Sequence, residues 1–286
     1  MRYSDATSFR QALGDHFRAR YADQDLGRLL KRVAMERFLA RTAHVLGDRA
    51  LLKGGYALEL RLARARATRD VDLALRDVAT HDVLEAVRDA GAVDLGDHLT
   101  YLVEETTAAM PAGAPYGGQR LTVVPLLGGR RFQPFPLDVG LGDAIPEQAD
   151  TLRGGIDLSF AGLSLLETPA IPVEVHLAEK LHALSLPHLD DRENSRVKDL
   201  VDVMLLRSDA YVDVSRVRVA VVATFERRAT HPMPERFELP LVAWETPYRR
   251  FAMALALEVS ARTVELASER LHELWDAIQG VEDAVQ

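Results

Sequence analysis

The sequence predicts an α+β protein in which a mixed α/β first half is followed by an all-α second half. Two observations carry this prediction. Segments with alternating apolar and polar residues, typical of strands, lie before about residue 155. After about residue 160, apolar residues recur at spacings of three and four, the period of a helix. We therefore expect one domain over residues 1–155 and a helical domain over 156–286 that contributes to the active-site cleft.

The predicted elements follow in chain order. A helix is expected over residues 26–46, and the glycine pair Gly54 and Gly55 then breaks the helical pattern. A short helix at 56–62, a strand at 70–75 and a helix at 81–91 come next. Strands are predicted at 99–106, 119–126 and 132–139, with Gly- and Pro-rich segments between them. The second half is predicted to hold helices at 173–186, 196–206, 214–225 and 248–279.

The composition excludes several classes of chemistry. The chain has 286 residues, no cysteine and a net charge of −8. Without cysteine there is no disulfide, thiolate catalysis or cysteine-based metal centre, and oxygen ligands would favour magnesium or manganese. No segment approaches the ~18 apolar residues of a membrane helix, and the first residues lack the apolar core of a signal peptide. We therefore expect a cytoplasmic protein without a membrane partner.

The strongest motif is the glycine pair followed by two aspartates. Asp70 and Asp72 are two residues apart, so on a strand both side chains point to the same face. Side-by-side carboxylates can hold the divalent ions that neutralise phosphate charge in nucleotidyl transfer. A bare backbone at Gly54 and Gly55 can approach a triphosphate. The motif predicts a metal-dependent nucleotide-phosphate site, and a solvated strand face with two ordinary acids is the alternative.

Basic residues flank this motif. Lys53 precedes the glycines, and Arg61, Arg64, Arg66 and Arg69 crowd in before the aspartates. Phosphate binding needs local positive charge, which this group supplies despite the acidic total. We expect Lys53 and Arg66 to lie near the triphosphate and the arginines to grip the acceptor.

Three further positions are candidates. Asp138 lies among apolar residues of a predicted strand, where a buried acid needs a metal or an arginine as partner, unless the position faces the surface. Lys180, on a predicted helix, could bind nucleotide phosphates, and an ordinary exposed lysine is the alternative. Asp199 and Asp202 share a helix face, where Asp202 could orient Lys180, bind a base or act on an acceptor hydroxyl. An ordinary Lys/Asp helix surface would also explain that face.

Together these segments resemble the AbiEii/MenT group of nucleotidyltransferase toxins, within the polymerase β-like nucleotidyltransferase superfamily. The resemblance covers about residues 30–210 and rests on the order and spacing of Leu-Lys-Gly-Gly-Tyr-Ala-Leu at 52–58, Arg-Ala-Thr-Arg-Asp-Val-Asp-Leu at 66–73, Leu-Asp-Val-Gly at 137–140, Ala-Glu-Lys-Leu at 178–181 and Arg-Val-Lys-Asp-Leu-Val-Asp at 196–202. The family often has threonine after the two glycines, where this chain has Tyr56, which leaves only the backbone role of the glycines at that point.

The resemblance implies a polymerase β-like core with a mixed sheet, and it implies roles for individual residues. Asp70 and Asp72 align with the metal-binding acids of the family, and we expect Asp138 to help them. The positions of Lys180 and of an acid near Asp202 are functionally required in the family. The position of Thr68 lies close to the transferred phosphate.

The resemblance also implies a biological role. It implies the toxin of a toxin–antitoxin system, which transfers a nucleoside monophosphate from an NTP to the 3′ acceptor end of tRNA. This transfer would block translation, and a cognate antitoxin would restrain it. Two rivals remain open from the sequence. One is a small-molecule nucleotidyltransferase of the antibiotic-modifying kind, which the acidic total charge favours, and the other is a catalytically silent nucleotide- or partner-binding module.

Overall fold

The computed structural model describes residues 1–106, 117–145, 147–186 and 196–281. The strands in these residues are β1 (Ala50–Lys53), β2 (Val71–Leu75), β3 (Leu99–Glu105), β4 (Gly118–Leu127), β5 (Arg130–Arg131), β6 (Phe135–Leu141), β7 (Asp150–Arg153) and β8 (Glu167–Ala170). The α-helices are α1 (Ala6–Arg20), α2 (Leu26–Leu46), α3 (Gly54–Arg61), α4 (Val83–Ala92), α5 (Val173–Leu184), α6 (Val197–Asp209), α7 (Val214–Arg228), α8 (Leu241–Ala254) and α9 (Val264–Gln279). The predicted α+β class is confirmed.

The described strands form one mixed sheet in the order β3-β4-β6-β2-β1-β8-β7, with β5 paired to β4. Strand β2 lies near its centre, parallel to β6 and antiparallel to β1. Val71 and Leu73 of β2 are fully buried, and the alternation of a strand turns the residue between them to the opposite face. That residue is Asp72, and the strand register places it between Lys53 of β1 and Asp138 of β6.

The glycine pair belongs to a helix rather than to a separate turn. Helix α3 begins at Gly54, directly after β1, and Lys53 occupies its capping position. The predicted helix at 56–62 therefore begins two residues earlier than the apolar pattern indicated. The predicted strand at 70–75 begins one residue later, at Val71, so Asp70 lies immediately before β2.

Several elements escaped the sequence analysis. Helix α1 and the strands β1, β5, β7 and β8 were not predicted, and four residues or fewer in each of these strands give too short a window for periodicity. Strand β8 lies after residue 155 and pairs with β1, so the sheet continues to Ala170, while the two-domain division stays a prediction. The single predicted helix at 248–279 is two helices, α8 and α9, separated by a short 3₁₀ turn at Val259–Ala261.

Helix α3 connects two apolar clusters. One cluster joins the N-terminal helices to the sheet and includes Phe38 and Leu73. The other joins the C-terminal helices, with Leu177 and Trp275, and also takes in Leu58 from α3. Burial of such side chains contributes about 1.5–3 kcal/mol each, so α3 is fixed against both the strands and the helices. Among the described helices, none is long and apolar enough to cross a membrane.

Candidate active site

The Asp72 carboxylate meets the N-terminus of α3. Asp72 projects from β2 toward Gly54, and a Cβ atom on Gly54 would overlap the Asp72 carboxylate. Gly54 also has a φ angle of +64°, a conformation that favours glycine. Within the described residues, the capping residue Lys53 makes no side-chain hydrogen bond to the first turn of α3, so the backbone N–H groups there are available to an anion. The glycine therefore lets a phosphate-binding helix end lie directly beside the acid.

Negative charge on this face is only partly balanced. Burial, together with the carboxylates of Asp70 and Asp138, raises the pKa of Asp72 to about 7, against the opposing effect of Lys53 and Lys180. Carboxylates that repel one another are stabilised by a cation placed between them. The charge pattern therefore favours a bound cation.

The carboxylates fit a magnesium ion when a nucleotide completes its coordination. Magnesium in nucleotide enzymes is bound by one or two carboxylates together with substrate phosphates and water. Within the described ranges, no group of three or more His, Asp or Glu side chains is arranged to hold a metal alone. Asp70 and Asp72 supply the donor chemistry of such a shared site.

Thr68 lies between the glycine turn and Asp70. Its hydroxyl donates a hydrogen bond to Asp70 Oδ1, and its backbone N–H donates to Glu59 Oε2 at 3.1 Å. A Cβ atom on Gly55 would lie 3.0 Å from Thr68 Oγ1, so glycine is needed for this close packing. The turn, Thr68 and the first acid thus form one contiguous surface.

Asp138 is buried and bound by an arginine. Arg120 lies opposite Asp138 in the β4–β6 register and donates from Nε to Oδ1 at 2.6 Å and from Nη2 to Oδ2. The sequence analysis expected a metal or an arginine as the partner of this acid if it is buried, and the structure shows an arginine. The predicted metal role of Asp138 stays a prediction, and it would require this ion pair to open.

Lys180 belongs to a buried cluster of alternating charges. Its Nζ lies 2.8 Å from Asp199 Oδ1 and 2.9 Å from Asp202 Oδ2. Arg66 binds the same Asp202 carboxylate through two N–H groups, both at 3.0 Å. Burial lowers the pKa of Lys180, and Asp199 and Asp202 more than offset this, so the pKa lies above its ordinary value. The sequence expected Arg66 near the triphosphate, and here its guanidinium is held by Asp202.

Lys53 also differs from its expected position. Its ammonium pairs with Asp143 and, at 3.2 Å, with Glu179 Oε1. Arg228 binds the same two acids, at 3.1 Å and 2.7 Å. The ion pairs join β1 to α5 and α7, so the contacts of Lys53 in this structure are to these acids rather than to a triphosphate position. Lys53 still stabilises the charged form of Asp72 electrostatically.

The arginines before the aspartates do not form one basic surface. Three of the four make ion pairs within the protein: Arg61 with Asp150, Arg64 with Asp209 and Arg66 with Asp202. Arg69 is exposed beside the site. The expected grip on an acceptor by the whole group is therefore not seen in the described residues.

Several residues of the site were not found from the sequence. Glu59 holds the Thr68 backbone, and Arg120 holds Asp138. The Tyr56 hydroxyl, which replaces the threonine of the family, donates to Glu36 Oε1 at 2.8 Å in the interior. Spacing along the chain does not reveal these pairs, since their partners are brought together by the strand register and by helix packing. An alternating strand pattern around residue 120 was the available signal for Arg120.

The fold and the site define a nucleotidyltransferase, in which Asp72 faces a glycine-started helix and Thr68 connects Asp70 to the same helix start. The chain belongs to the AbiEii family: its residues 37–279 match the family described as nucleotidyl transferase AbiEii toxin, of a type IV toxin–antitoxin system. This match confirms the resemblance seen in the sequence.

Several solved structures are similar to this chain, among them one that shares its fold. One is MenT4, a nucleotidyltransferase toxin from Mycobacterium tuberculosis H37Rv, at 17% identity and a TM-score of 0.53, with 96% of this chain and 99% of that chain covered. Another is JHP933 from Helicobacter pylori, at 14% identity and a TM-score of 0.42, with 88% and 97% covered. No curated protein matches the chain.

Proposed function

We propose that this nucleotidyltransferase transfers a nucleoside monophosphate from an NTP to the 3′ acceptor end of tRNA in the cytoplasm. The transfer would block translation, and a cognate antitoxin would restrain the enzyme. The observation that carries the chemistry is Asp72 beside the N-terminus of α3, with Asp70 connected to that helix end through Thr68. An acceptor hydroxyl oxygen bonds to the α-phosphorus, the bond to the bridging oxygen breaks, pyrophosphate leaves, and the hydroxyl proton passes to water.

The metal-binding residues are proposed to be Asp70 and Asp72, joined by Asp138 when its pair with Arg120 opens. Magnesium, or manganese, would supply positive charge to the transferring phosphate when bound. Because Asp70 acts electrostatically on Asp72, the two acids are near enough to share that charge with the nucleotide's phosphates.

The remaining site residues are proposed to bind and orient the nucleotide. The backbone N–H groups at Gly54 and Gly55 face the triphosphate, as at other helix N-termini that bind phosphate. Thr68, hydrogen-bonded to Asp70, lies beside the phosphate that is transferred.

Lys180 is proposed to contact a phosphate, with Asp202 and Arg66 fixing its position through their shared ion pairs. Lys53 would favour the charged form of Asp72 and would contact the triphosphate only if it leaves Asp143. These two lysines therefore differ in how directly they would act.

The AbiEii family supports a toxin with an antitoxin partner. One observation favours a second candidate, a small-molecule acceptor of the antibiotic-modifying kind. The ion pairs of Arg61, Arg64 and Arg66 leave this segment without the basic surface that a tRNA backbone would use.

A labelling assay separates the two acceptors. The protein is incubated with each labelled NTP, magnesium and either total tRNA or a panel of aminoglycosides, beside Asp70→Ala and the exposed control Asp82→Ala. We expect labelled tRNA with the unmodified protein and with Asp82→Ala, and none with Asp70→Ala. Labelling of an aminoglycoside alone would replace tRNA with a small acceptor. Equal labelling by Asp70→Ala would refute the metal assignment.

A further inference from the structure

Glu59 lies on α3, one turn after the glycine pair, and its side chain is only 7% exposed. Its Oε2 accepts the hydrogen bond of the Thr68 backbone N–H at 3.1 Å. The bond spans the connection between α3 and β2, where the chain turns toward the acids. A buried carboxylate therefore holds the backbone of the residue whose hydroxyl contacts Asp70.

The other oxygen of Glu59 faces α2. Arg28 donates to Glu59 Oε1 at 2.9 Å, and Arg32 lies 3.6 Å from the same atom. Two guanidinium groups thus compensate the charge of Glu59 and tie α2 to α3. A hydrogen bond to a charged, compensated carboxylate is stronger than one between neutral groups.

We propose that Glu59 is a positioning residue: it fixes Thr68, and through Thr68 it orients the Asp70 carboxylate against the glycine turn. The proposal rests on the proposed nucleotidyl transfer for its effect on activity. Three contacts carry it in sequence: Glu59 to the Thr68 N–H, the Thr68 hydroxyl to Asp70, and the tight approach of Gly55 to Thr68 Oγ1. Gly54 and Gly55 have no side chains that could hold the first turn of α3 against Thr68. Glu59, one helical turn later, supplies that contact.

Two substitutions distinguish the effect of the length of the Glu59 side chain from the effect of its charge. Glu59→Gln keeps an oxygen at the same distance from Thr68 but removes the negative charge. Glu59→Asp keeps the charge but withdraws the carboxylate by one methylene, about 1.5 Å. Glu273→Ala is the matched control, because Glu273 also binds two arginines, Arg207 and Arg270, on helices away from Thr68.

The first measurement is amide hydrogen exchange of Thr68, followed by NMR in protein without nucleotide. Loss of a hydrogen bond to a charged acceptor corresponds to an exchange rate about 10–100 times faster. We expect this increase in Glu59→Asp, an increase below about fivefold in Glu59→Gln, and no change in Glu273→Ala. An unchanged Thr68 rate in Glu59→Asp would overturn the proposal.

The second measurement is steady-state transfer. We expect Glu59→Asp to lower kcat by about 10–100-fold with KM for the NTP changed less than about threefold. Glu59→Gln should keep most of the kcat of the unmodified protein. A loss of kcat in Glu59→Gln as large as in Glu59→Asp would overturn positioning through the hydrogen bond. Absence of transfer by the unmodified protein refutes the proposed function instead, and the exchange rates alone then decide whether Glu59 holds Thr68.

Discussion

Asp70 and Asp72 carry charge that their own face compensates poorly, whereas Lys180 is enclosed by two carboxylates. The pKa of Asp72 is raised to about 7 by burial and by its neighbouring acids. The pKa of Lys180 is raised as well, but for a cation this means that its charged form is favoured. We call Asp70 and Asp72 the acidic face, and Lys180 with Asp199 and Asp202 the helical cluster. Burial and neighbouring acids make ionisation of Asp72 unfavourable on the acidic face, whereas ion pairs stabilise the charges of the helical cluster.

From this difference we expect the acidic face to bind a ligand and the helical cluster to support the fold. A face that repels itself gains free energy when a cation arrives, so its acids favour ligand binding at the expense of the free protein. A cluster of paired charges gains little from a ligand, but breaking it leaves a buried charge without a partner. Substitutions in the two regions should therefore have opposite effects on stability, although both lower activity.

The largest effect is expected at Asp70. Asp70→Asn keeps an oxygen for the Thr68 hydroxyl and removes one negative charge beside Asp72. We expect transfer to fall at least ~10³-fold, since a metal contact contributes several kcal/mol in the transition state. The free energy of unfolding should stay the same or rise. Labelled-NTP transfer and urea unfolding measure the two effects, with the exposed Asp82→Asn as control, and a marked loss of stability in Asp70→Asn would contradict the charge comparison.

Lys180→Ala should destabilise the free protein. It leaves Asp199 with Arg196 as its remaining ion-pair partner and Asp202 with Arg66. We expect the free energy of unfolding to fall by about 3 kcal/mol, the lower end of the range for removing one partner of a buried ion pair, because each acid keeps an arginine. Lys198→Ala, at an exposed position of the same helix, is the control. If both variants unfold at the same urea concentration as the unmodified protein, the cluster does not support the fold.

The acidic motif and the helices of the second half could be predicted from the sequence because both depend on short periods along the chain. Alternation placed Asp72 opposite the buried Val71 and Leu73, and this is what the structure shows. Which residues pair with Asp138 and Lys53 could not be predicted, since these pairs depend on strand register and helix packing. Arg120 lies 18 residues from Asp138 and Asp143 lies 90 residues from Lys53.

Gly54 lies where Asp72 meets the first turn of α3, and its substitution should have the next largest effect. Gly54→Ala adds a Cβ that overlaps the Asp72 carboxylate and also strains a φ angle of +64°. Gly96→Ala is a close control, because Gly96 has a φ angle of +63° but no atom within 4 Å of its added Cβ. Both substitutions strain the backbone to a similar extent, so the difference in stability between the two variants measures the contact with Asp72.

We expect Gly54→Ala to lower the free energy of unfolding by about 2–3 kcal/mol more than Gly96→Ala, a size typical of overpacking. Transfer should fall at least about tenfold in Gly54→Ala alone. Urea unfolding and the labelling assay measure the two effects. Equal losses in the two variants would show that Asp72 moves aside without consequence, and the close approach of α3 to the acid would then not matter.

The smallest effect concerns a buried acid outside the site, and it tests whether unbalanced charge is confined to the acidic face. Glu36 accepts hydrogen bonds from Tyr56 and from the Ile156 N–H, and Arg32 lies 3.6 Å away. Burial, only partly offset by Arg32, raises the pKa of Glu36 to about 7. The folded protein then binds more protons than the unfolded chain between about pH 4.5 and 7, so this contribution to stability is present at low pH and is lost as pH rises through 7.

Glu36→Gln keeps the shape and cannot ionise, so it should remove that loss. We expect the variant to gain about 1–2 kcal/mol relative to the unmodified protein on going from pH 6 to pH 8. Urea unfolding at the two pH values measures the difference, and the exposed Glu85→Gln should show none. A difference that stays constant with pH would mean that Arg32 compensates Glu36 fully, as Asp202 and Asp199 compensate Lys180. The acidic face would then be the region where an acid of raised pKa is left poorly compensated, which is the property expected of a face that binds a cation.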